Sequence, residues 1–181
     1  VAEAARDRGA SVTVVCGTTS VSPPENIRAI EALSAEEMFH AVMKELPDAT
    51  VFIGSAAVAD YRPTNVEEFK IKKTNSNSLS LELEKTPDIL ANVSNSRHEN
   101  LLVVGFAAET NDVVEYAKSK MEKKNLDLVI ANDITKSGAG FNTDTNIATI
   151  IRRNGAGNIE LPLMSKREMA DRILDEIVRM R

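Results

Sequence analysis

The sequence predicts an α/β fold with a doubly wound, mainly parallel Rossmann-like sheet and antiparallel hairpin excursions. Short apolar runs with strand character alternate along the chain with longer segments of helical periodicity, as in βαβ units. Two of these runs, 101–106 and 126–131, are apolar almost throughout, which is typical of parallel strands buried on both faces. Two helices, beginning near Ser34 and Ser165, each open with a capping box.

Composition limits the size and the kind of protein. With 181 residues, of which 43% are hydrophobic, the chain is expected to form one domain over 1–181. Its formal net charge of -5 argues against a nucleic-acid partner, so any phosphate site must be local. The single cysteine, Cys16, cannot form an internal disulfide, and His40 and His98 supply no zinc-ligand spacing, which suggests a cytoplasmic protein. Since no apolar run approaches the roughly 20 residues of a spanning helix, we expect no membrane partner.

The first predicted elements are a helix and a strand. The alanine-rich start of the chain is expected to be helical as far as Gly9, a favourable left-handed cap residue, and the strand 11–16 follows. In a βαβ layout, a strand and a glycine-rich turn precede such a helix. We therefore expect that the N-terminal strand and glycine-rich loop of this domain are missing from the sequence.

The next elements are a helix and a second strand. Ser34 and Glu37 form the capping box of a helix that extends to about Leu46, and the strand 50–55 follows it. Apolar residues at helical spacing predict its buried face, which consists of Met38, Val42 and Leu46.

A hairpin is predicted next, with arms 69–73 and 79–84. The strict alternation of the second arm predicts one buried and one exposed face. A short helix is expected to begin at 86–88 with Pro87 in its first turn, and the buried strand 101–106 follows.

The C-terminal part is predicted to contain a helix over 112–124, the strand 126–131 and a hairpin over 147–163 that turns at Asn154 and Gly155. The last helix begins at Ser165, which forms a capping box with Glu168. Its apolar stripe consists of Met169, Ile173, Ile177 and Met180.

The stretch 54–73 is the first candidate for a ligand site. Small residues follow the strand 50–55, and Asp60 and then Lys70, Lys72 and Lys73 come after them. Ligands of open parallel sheets bind outside the carboxyl ends of the strands, so this pattern suggests an anionic ligand. Asp60 could accept ribose hydroxyls or a phosphate-bound Mg²⁺, or it could simply order a turn. The lysines could bind phosphates, or they could protect an edge strand.

Later residues are also compatible with nucleotide binding. Lys120 and Lys124 lie at i, i+4 on one helix face and could neutralise a polyphosphate, although such pairs often line a solvated face. Phe106 could stack on a base or belong to the core. Tyr116 and Lys120 have the spacing of short-chain dehydrogenases, so an NAD(P)-dependent oxidoreductase remains an alternative, although the upstream serine of such enzymes is absent.

Taken together, six motifs resemble phosphopantothenoylcysteine synthetase, in the order of that family and over nearly the whole chain. They are AAVADYRP at 56–63, KIKK at 70–73, TPDIL at 86–90, VGFAAET at 104–110, KNLD at 124–127 and AND at 131–133. In bacteria this domain is commonly the C-terminal half of a protein whose N-terminal half is a flavin-dependent decarboxylase.

The resemblance implies a ligase of coenzyme A biosynthesis. It would join 4'-phosphopantothenate to L-cysteine through an acyl-cytidylate, using CTP with Mg²⁺ and releasing CMP and pyrophosphate, and it would act as a homodimer. The family's glycine-rich loop and its Asn-containing Ser-Ser-Gly segment have no counterpart here, so we expect CTP binding with poor turnover from this chain alone. A non-catalytic nucleotide-binding module is the second alternative.

The resemblance also implies roles for individual residues. Lys70 matches the catalytic lysine of a mobile flap, and Asp60 matches the acidic nucleotide contact. Cytosine would be contacted by the backbone of Pro87, Asp88, Ile89 and Leu90. The other nucleotide-binding positions are Gly54, Ser55 and Ala56 in the pocket lining, Phe106 as the pocket aromatic, and Lys120 and Lys124 on the helix. No metal ligand is assigned.

Overall fold

The computed structural model describes residues 1–19, 21–67, 69–72, 78–109, 112–136, 138–140, 143–153, 155 and 157–181. The helices are α1 (Ala2–Asp7), α2 (Ala35–Glu45), α3 (Ile89–Asn95), α4 (Val113–Lys123) and α5 (Lys166–Arg179). The strands are β1 (Thr13–Cys16), β2 (Arg28–Glu31), β3 (Val51–Gly54), β4 (Tyr61–Pro63), β5 (Leu83–Lys85), β6 (Leu102–Glu109), β7 (Leu128–Asp133), β8 (Thr145–Arg152) and β9 (Ile159–Ser165).

The central sheet has the strand order β3-β6-β7-β8-β9. Strands β3, β6 and β7 are parallel, and β8 and β9 add an antiparallel hairpin at one edge. Two smaller sheets accompany it: β1 pairs with β2 in parallel, and β4 pairs with β5 in antiparallel orientation. The α/β fold with a parallel-rich sheet and antiparallel excursions is therefore confirmed.

Helices cover both faces of the central sheet. One hydrophobic cluster joins the sheet to α2, α3 and α4 through residues such as Val42, Val93 and Met121. The other joins it to α1 and α5 through Ala4 and Ile173. Alternate residues of β7 point into the two clusters, as expected for a strand that is buried on both faces. Among the residues described, no helix is long and apolar enough to cross a membrane.

Both predicted capping boxes are present. The Ser34 hydroxyl accepts a hydrogen bond from the Glu37 amide at 3.1 Å, and the Ser165 hydroxyl accepts one from the Glu168 amide at 3.1 Å. In each box the glutamate carboxylate accepts a hydrogen bond from the backbone amide of the serine. The predicted left-handed conformation of Gly9 is also confirmed, with a φ of 85°.

The predicted hairpin of 69–73 and 79–84 is wrong in its first arm. Residues 69–72 form no strand, Lys73 lies outside the described residues, and β5 instead pairs with β4. The expected buried face is also wrong, because Leu79, Leu81 and Leu83 are 68%, 64% and 52% exposed. Alternation fixes which side chains share a face, but it does not supply a layer that covers them.

Two further predictions need correction. Pro87 does not lie in the first turn of α3, because Asp88 is the N-cap and its carboxylate accepts a hydrogen bond from the Ala91 amide at 3.0 Å. Strand β2 was not predicted, since its sequence from Arg28 to Glu31 is half charged and mostly exposed. The predicted turn residue Asn154 lies in a part of the chain that the structure does not describe, whereas Gly155 has a positive φ of 68°.

Candidate functional site

The candidate site lies where β3 ends beside the middle of β6. Gly54 pairs with Gly105 in this register, and Leu90 of α3 packs over both glycines. A Cβ atom would lie 3.2 Å from Leu90 Cδ1 if added at Gly54, and 3.1 Å from Leu90 Cδ2 if added at Gly105. The two glycines therefore allow the start of α3, with the predicted residues Ile89 and Leu90, to approach the sheet where β3 ends.

The segment after β3 is tied to the start of α3. Thr86 donates its amide hydrogen to the Asp60 carbonyl at 3.0 Å and its hydroxyl hydrogen to the Ala59 carbonyl. Ser55 and Ala56 are exposed at the start of this segment. The Asp60 carboxylate is exposed too and bonds to none of the described residues. Thr86 thus places Asp60 beside the segment that carries Pro87 and Asp88.

Asp88 connects α3 to α4. Besides capping α3, its carboxylate forms an ion pair with Lys124 in which Nζ and Oδ2 are 2.9 Å apart. Burial by itself raises the pKa of the Asp88 carboxyl. The hydrogen bonds from Lys124 and the Ala91 amide, with the nearby positive charges, outweigh burial, so the pKa lies below its ordinary value. Asp88 is therefore ionised at neutral pH.

Lys120 lies on the last turn of α4, close to the Asp88 carboxylate. Its Nζ donates a hydrogen bond to the Phe106 carbonyl at 2.7 Å, and its charge contributes to lowering the pKa of Asp88. Lys120 and Lys124 thus place two positive charges between β6 and the start of α3. The Phe106 ring packs against the cluster of α1 and α5, so its side chain is part of the core here.

Lys70 is not joined to this group by any contact among the described residues. It is exposed, and its neighbours Phe69 and Ile71 are 83% and 55% exposed. The alternative that these lysines protect an edge strand is wrong for Lys70 and Lys72, because residues 69–72 form no strand.

Sequence reasoning missed two polar groups, one at the site and one on β7. One is Thr86. Its hydrogen bonds to the carbonyl groups of residues 59 and 60 could not be inferred from its position before a proline. The other is Asn132 of β7, whose Oδ1 is buried without a hydrogen-bond partner in the described structure. Buried polar atoms are normally bonded, so Asn132 offers an acceptor that a ligand could satisfy.

The site fits an anionic nucleotide better than a metal held by protein ligands alone. It presents two lysines and the exposed backbone that follows β3, and these groups can bind phosphates. Within the part of the chain that the structure describes, no group of three or more His, Cys, Asp or Glu side chains could hold a metal ion.

A family model and individual relatives both match nearly the whole chain. The family described as DNA/pantothenate metabolism flavoprotein C-terminal domain matches residues 1–180. The coenzyme A biosynthesis bifunctional protein CoaBC of Vibrio vulnificus is 46% identical over 178 residues, which are 98% of this chain and 44% of that protein. The chain thus spans less than half the length of this relative.

Solved structures agree with the fold. The crystal structure of the C-terminal domain of CoaBC superposes with a TM-score of 0.81 at 38% identity, covering 99% of this chain and 79% of that one. A Cab2 variant in complex with phosphopantothenate-cysteine has a TM-score of 0.67 at 18% identity, covering 86% of this chain and 53% of that one. At that identity the second likeness concerns the fold alone.

Proposed function

Since the chain belongs to the family of DNA/pantothenate metabolism flavoprotein C-terminal domains, we propose that it joins 4'-phosphopantothenate to L-cysteine in coenzyme A biosynthesis, with CTP as the activating nucleotide. The observation that carries this proposal is the pair of lysines, of which Lys120 donates to the Phe106 carbonyl of β6 and Lys124 pairs with Asp88 at the start of α3. Family membership favours this ligase over the oxidoreductase alternative, and its relative in Vibrio vulnificus is named for coenzyme A biosynthesis.

The proposed reaction has two steps. The carboxylate of phosphopantothenate attacks the α-phosphorus of CTP, the bond from that phosphorus to the bridging oxygen breaks, and pyrophosphate leaves. The amine of cysteine then attacks the acyl carbon, loses a proton and displaces CMP. A magnesium ion would neutralise phosphate charge when it is bound. Positioning and charge neutralisation dominate catalysis of such phosphorus chemistry.

The residues of the site fit these steps. Lys120 and Lys124 would neutralise the triphosphate, and Lys124 would have to share its charge between Asp88 and a phosphate. The exposed Asp60 carboxylate is proposed to accept ribose hydroxyl groups. The backbone of 87–90 would contact the base, and 54–56 would line the pocket. Lys70 is proposed to close over the reacting groups.

The role of the α4 lysines is tested by titrating CTP with Mg²⁺ into full-length protein and into a Lys124→Ala variant. Hydrogen bonds to charged groups contribute about 1.5–3 kcal/mol, so Kd should rise by roughly 10- to 150-fold. Lys118→Ala is the matched control, because Lys118 lies on the same helix and pairs with Glu115. Equal effects of the two substitutions would contradict the proposed role of Lys124.

Two further substitutions test the remaining roles. Lys70→Ala should abolish formation of the acyl-cytidylate while leaving the fold intact, and an unchanged rate of pyrophosphate release would remove Lys70 from the mechanism. Asp60→Asn should weaken CTP binding. An unaltered dissociation constant would return Asp60 to a turn-forming role.

The proposal includes a cytoplasmic homodimer in which a second copy covers the exposed apolar side chains of the segment from β4 to β5. This surface consists of Tyr61, Val66, Phe69, Ile71, Leu79, Leu81 and Leu83, each more than half exposed. Large exposed apolar patches mark interaction surfaces. Light scattering on a Leu81→Lys variant should show dissociation of the dimer.

We also propose fusion to a flavin-dependent decarboxylase domain, since the Vibrio vulnificus relative is named bifunctional.

A further inference from the structure

The end of α4 carries both proposed phosphate-binding lysines and has an uncommon backbone. Lys120 lies in the last turn, Lys124 is the C-cap, and Asn125 follows in the left-handed conformation with a φ of 51°. The last carbonyl groups of a helix have no partner within it and need donors from elsewhere. The position of both lysine side chains thus depends on what fixes this turn.

Arg153, at the end of β8, supplies much of that fixation. Its Nε donates to the Leu126 carbonyl at 2.6 Å, one terminal nitrogen donates to the Asn125 side chain, and the other lies 3.4 Å from the Met121 carbonyl. Its own amide hydrogen is donated to the Asp127 carbonyl at 3.2 Å. One planar guanidinium thus spans from the last turn of α4 to the chain that follows it. A lysine could not reproduce this fork of donors.

The same turn is held from the side of α3. Arg97 donates to the Asn125 carbonyl at 3.3 Å and to the Asp127 carboxylate at 3.1 Å. Asn125 therefore lies between two arginines, one after α3 and one after β8. Because Lys124 immediately precedes it and pairs with Asp88, this fixed turn decides where the Lys124 ammonium group can reach.

We propose that Arg153 is a positioning residue for the nucleotide site, which holds the turn after α4 so that Lys120 and Lys124 present their charges together to a triphosphate. This inference rests on the proposed function, because it takes CTP as the ligand. Arg153 itself bonds to the helix end, and it acts through the two lysines.

The test is an Arg153→Ala substitution in the full-length protein, with CTP binding and steady-state kinetics as readouts. Misplacement of binding groups by a remote residue should raise Kd and KM for CTP by about tenfold. The KM for L-cysteine should stay unchanged, whereas a mere loss of folded protein would lower the apparent kcat and leave both KM values unchanged. Arg153 borders a groove of about 730 Å³, so guanidinium ion at millimolar concentration should partly restore CTP affinity while sodium chloride at equal ionic strength should not.

Two variants complete the design. Arg8→Ala is the matched control, since Arg8 also makes several bonds, to Asp171 and Asp175 of α5, and should lower stability without changing CTP affinity. Arg153→Lys retains the charge with one donor group, and it should raise Kd for CTP even if Arg153→Ala fails to fold.

The outcomes separate the two proposals. If Lys124→Ala weakens CTP binding but neither Arg153 variant does, the positioning role is overturned and the proposed function stands. If the unmodified protein does not bind CTP, the proposed function fails and the positioning role fails with it. Loss of CTP affinity in Arg153→Ala that guanidinium rescues would establish the positioning role.

Discussion

Replacing Gly105 with alanine should destabilise the protein measurably. Gly105 lies in β6 between β3 and β7, where it pairs with Gly54 and Val129. A Cβ atom at this position would lie 2.7 Å from Leu126 Cδ1 and 3.1 Å from Leu90 Cδ2. Leu126 is 0% exposed, so its methyl group cannot move without displacing other core residues.

The expected cost follows from this overlap. Overpacking a core by one methyl group costs about 1–3 kcal/mol in the free energy of unfolding. In a domain of this size each kcal/mol lowers Tm by about 2–4 °C, so the variant should melt about 2–12 °C below the unmodified protein. Urea unfolding followed by circular dichroism measures the free energy, and the same substitution should displace Leu90 and weaken nucleotide binding.

Gly17→Ala is the control for this prediction. The nearest atoms to a Cβ at Gly17 are the Ala32 carbonyl oxygen at 3.5 Å and Met38 Cε at 3.7 Å, which are ordinary contact distances. The substitution should be neutral or should stabilise by up to about 1 kcal/mol, because it reduces the entropy of the unfolded chain. A Gly105→Ala variant that unfolds at the same urea concentration as the unmodified protein would refute the packing argument.

Three other substitutions should have distinct effects on urea unfolding. Asp88→Asn retains an N-cap but removes the ion pair with Lys124. Because folding lowers the pKa of Asp88, the stability lost in this variant should be largest above the ordinary pKa of about 3.9. The loss should vanish as the pH falls through the lower pKa that Asp88 has in the folded protein. Ser165→Ala removes one capping box and should cost about 1 kcal/mol. Arg152→Met leaves Glu176, whose side chain is 5% exposed, without one of its arginine partners, and should cost about 3 kcal/mol. Adding Glu176→Leu should recover much of that loss.

Each of these has a contradicting result. A stability difference for Asp88→Asn that is independent of pH would show that the ion pair is not its source. Full stability of Ser165→Ala would mean that water replaces the cap without cost. An Arg152→Met variant that is no less stable than the double variant would show that the buried carboxylate needs no partner.

The features that could be predicted from the sequence alone are local ones. The capping boxes at Ser34 and Ser165 and the left-handed Gly9 depend on neighbours within a few residues, and the structure has each of them. The resemblance to a synthetase family was likewise confirmed, because short motifs in a fixed order survive without knowledge of their contacts.

Contacts between residues far apart in the chain could not be predicted from the sequence. The predicted partner of β5 was wrong because alternation is equally compatible with any neighbouring strand, and β4 proved to be that neighbour. The bond of Lys124 to Asp88 joins residues 36 positions apart, and that of Arg153 to Leu126 joins residues 27 apart. Nothing in local composition marks such contacts, so the anchoring of the site required the structure.

The proposed ligase reaction is tested by measuring release of pyrophosphate from CTP by the full-length protein with Mg²⁺, in the presence and absence of 4'-phosphopantothenate. We expect pyrophosphate only when phosphopantothenate is present, and release of CMP with formation of the amide once L-cysteine is added. Pyrophosphate release that does not depend on phosphopantothenate, or amide formation without CTP consumption, would contradict it.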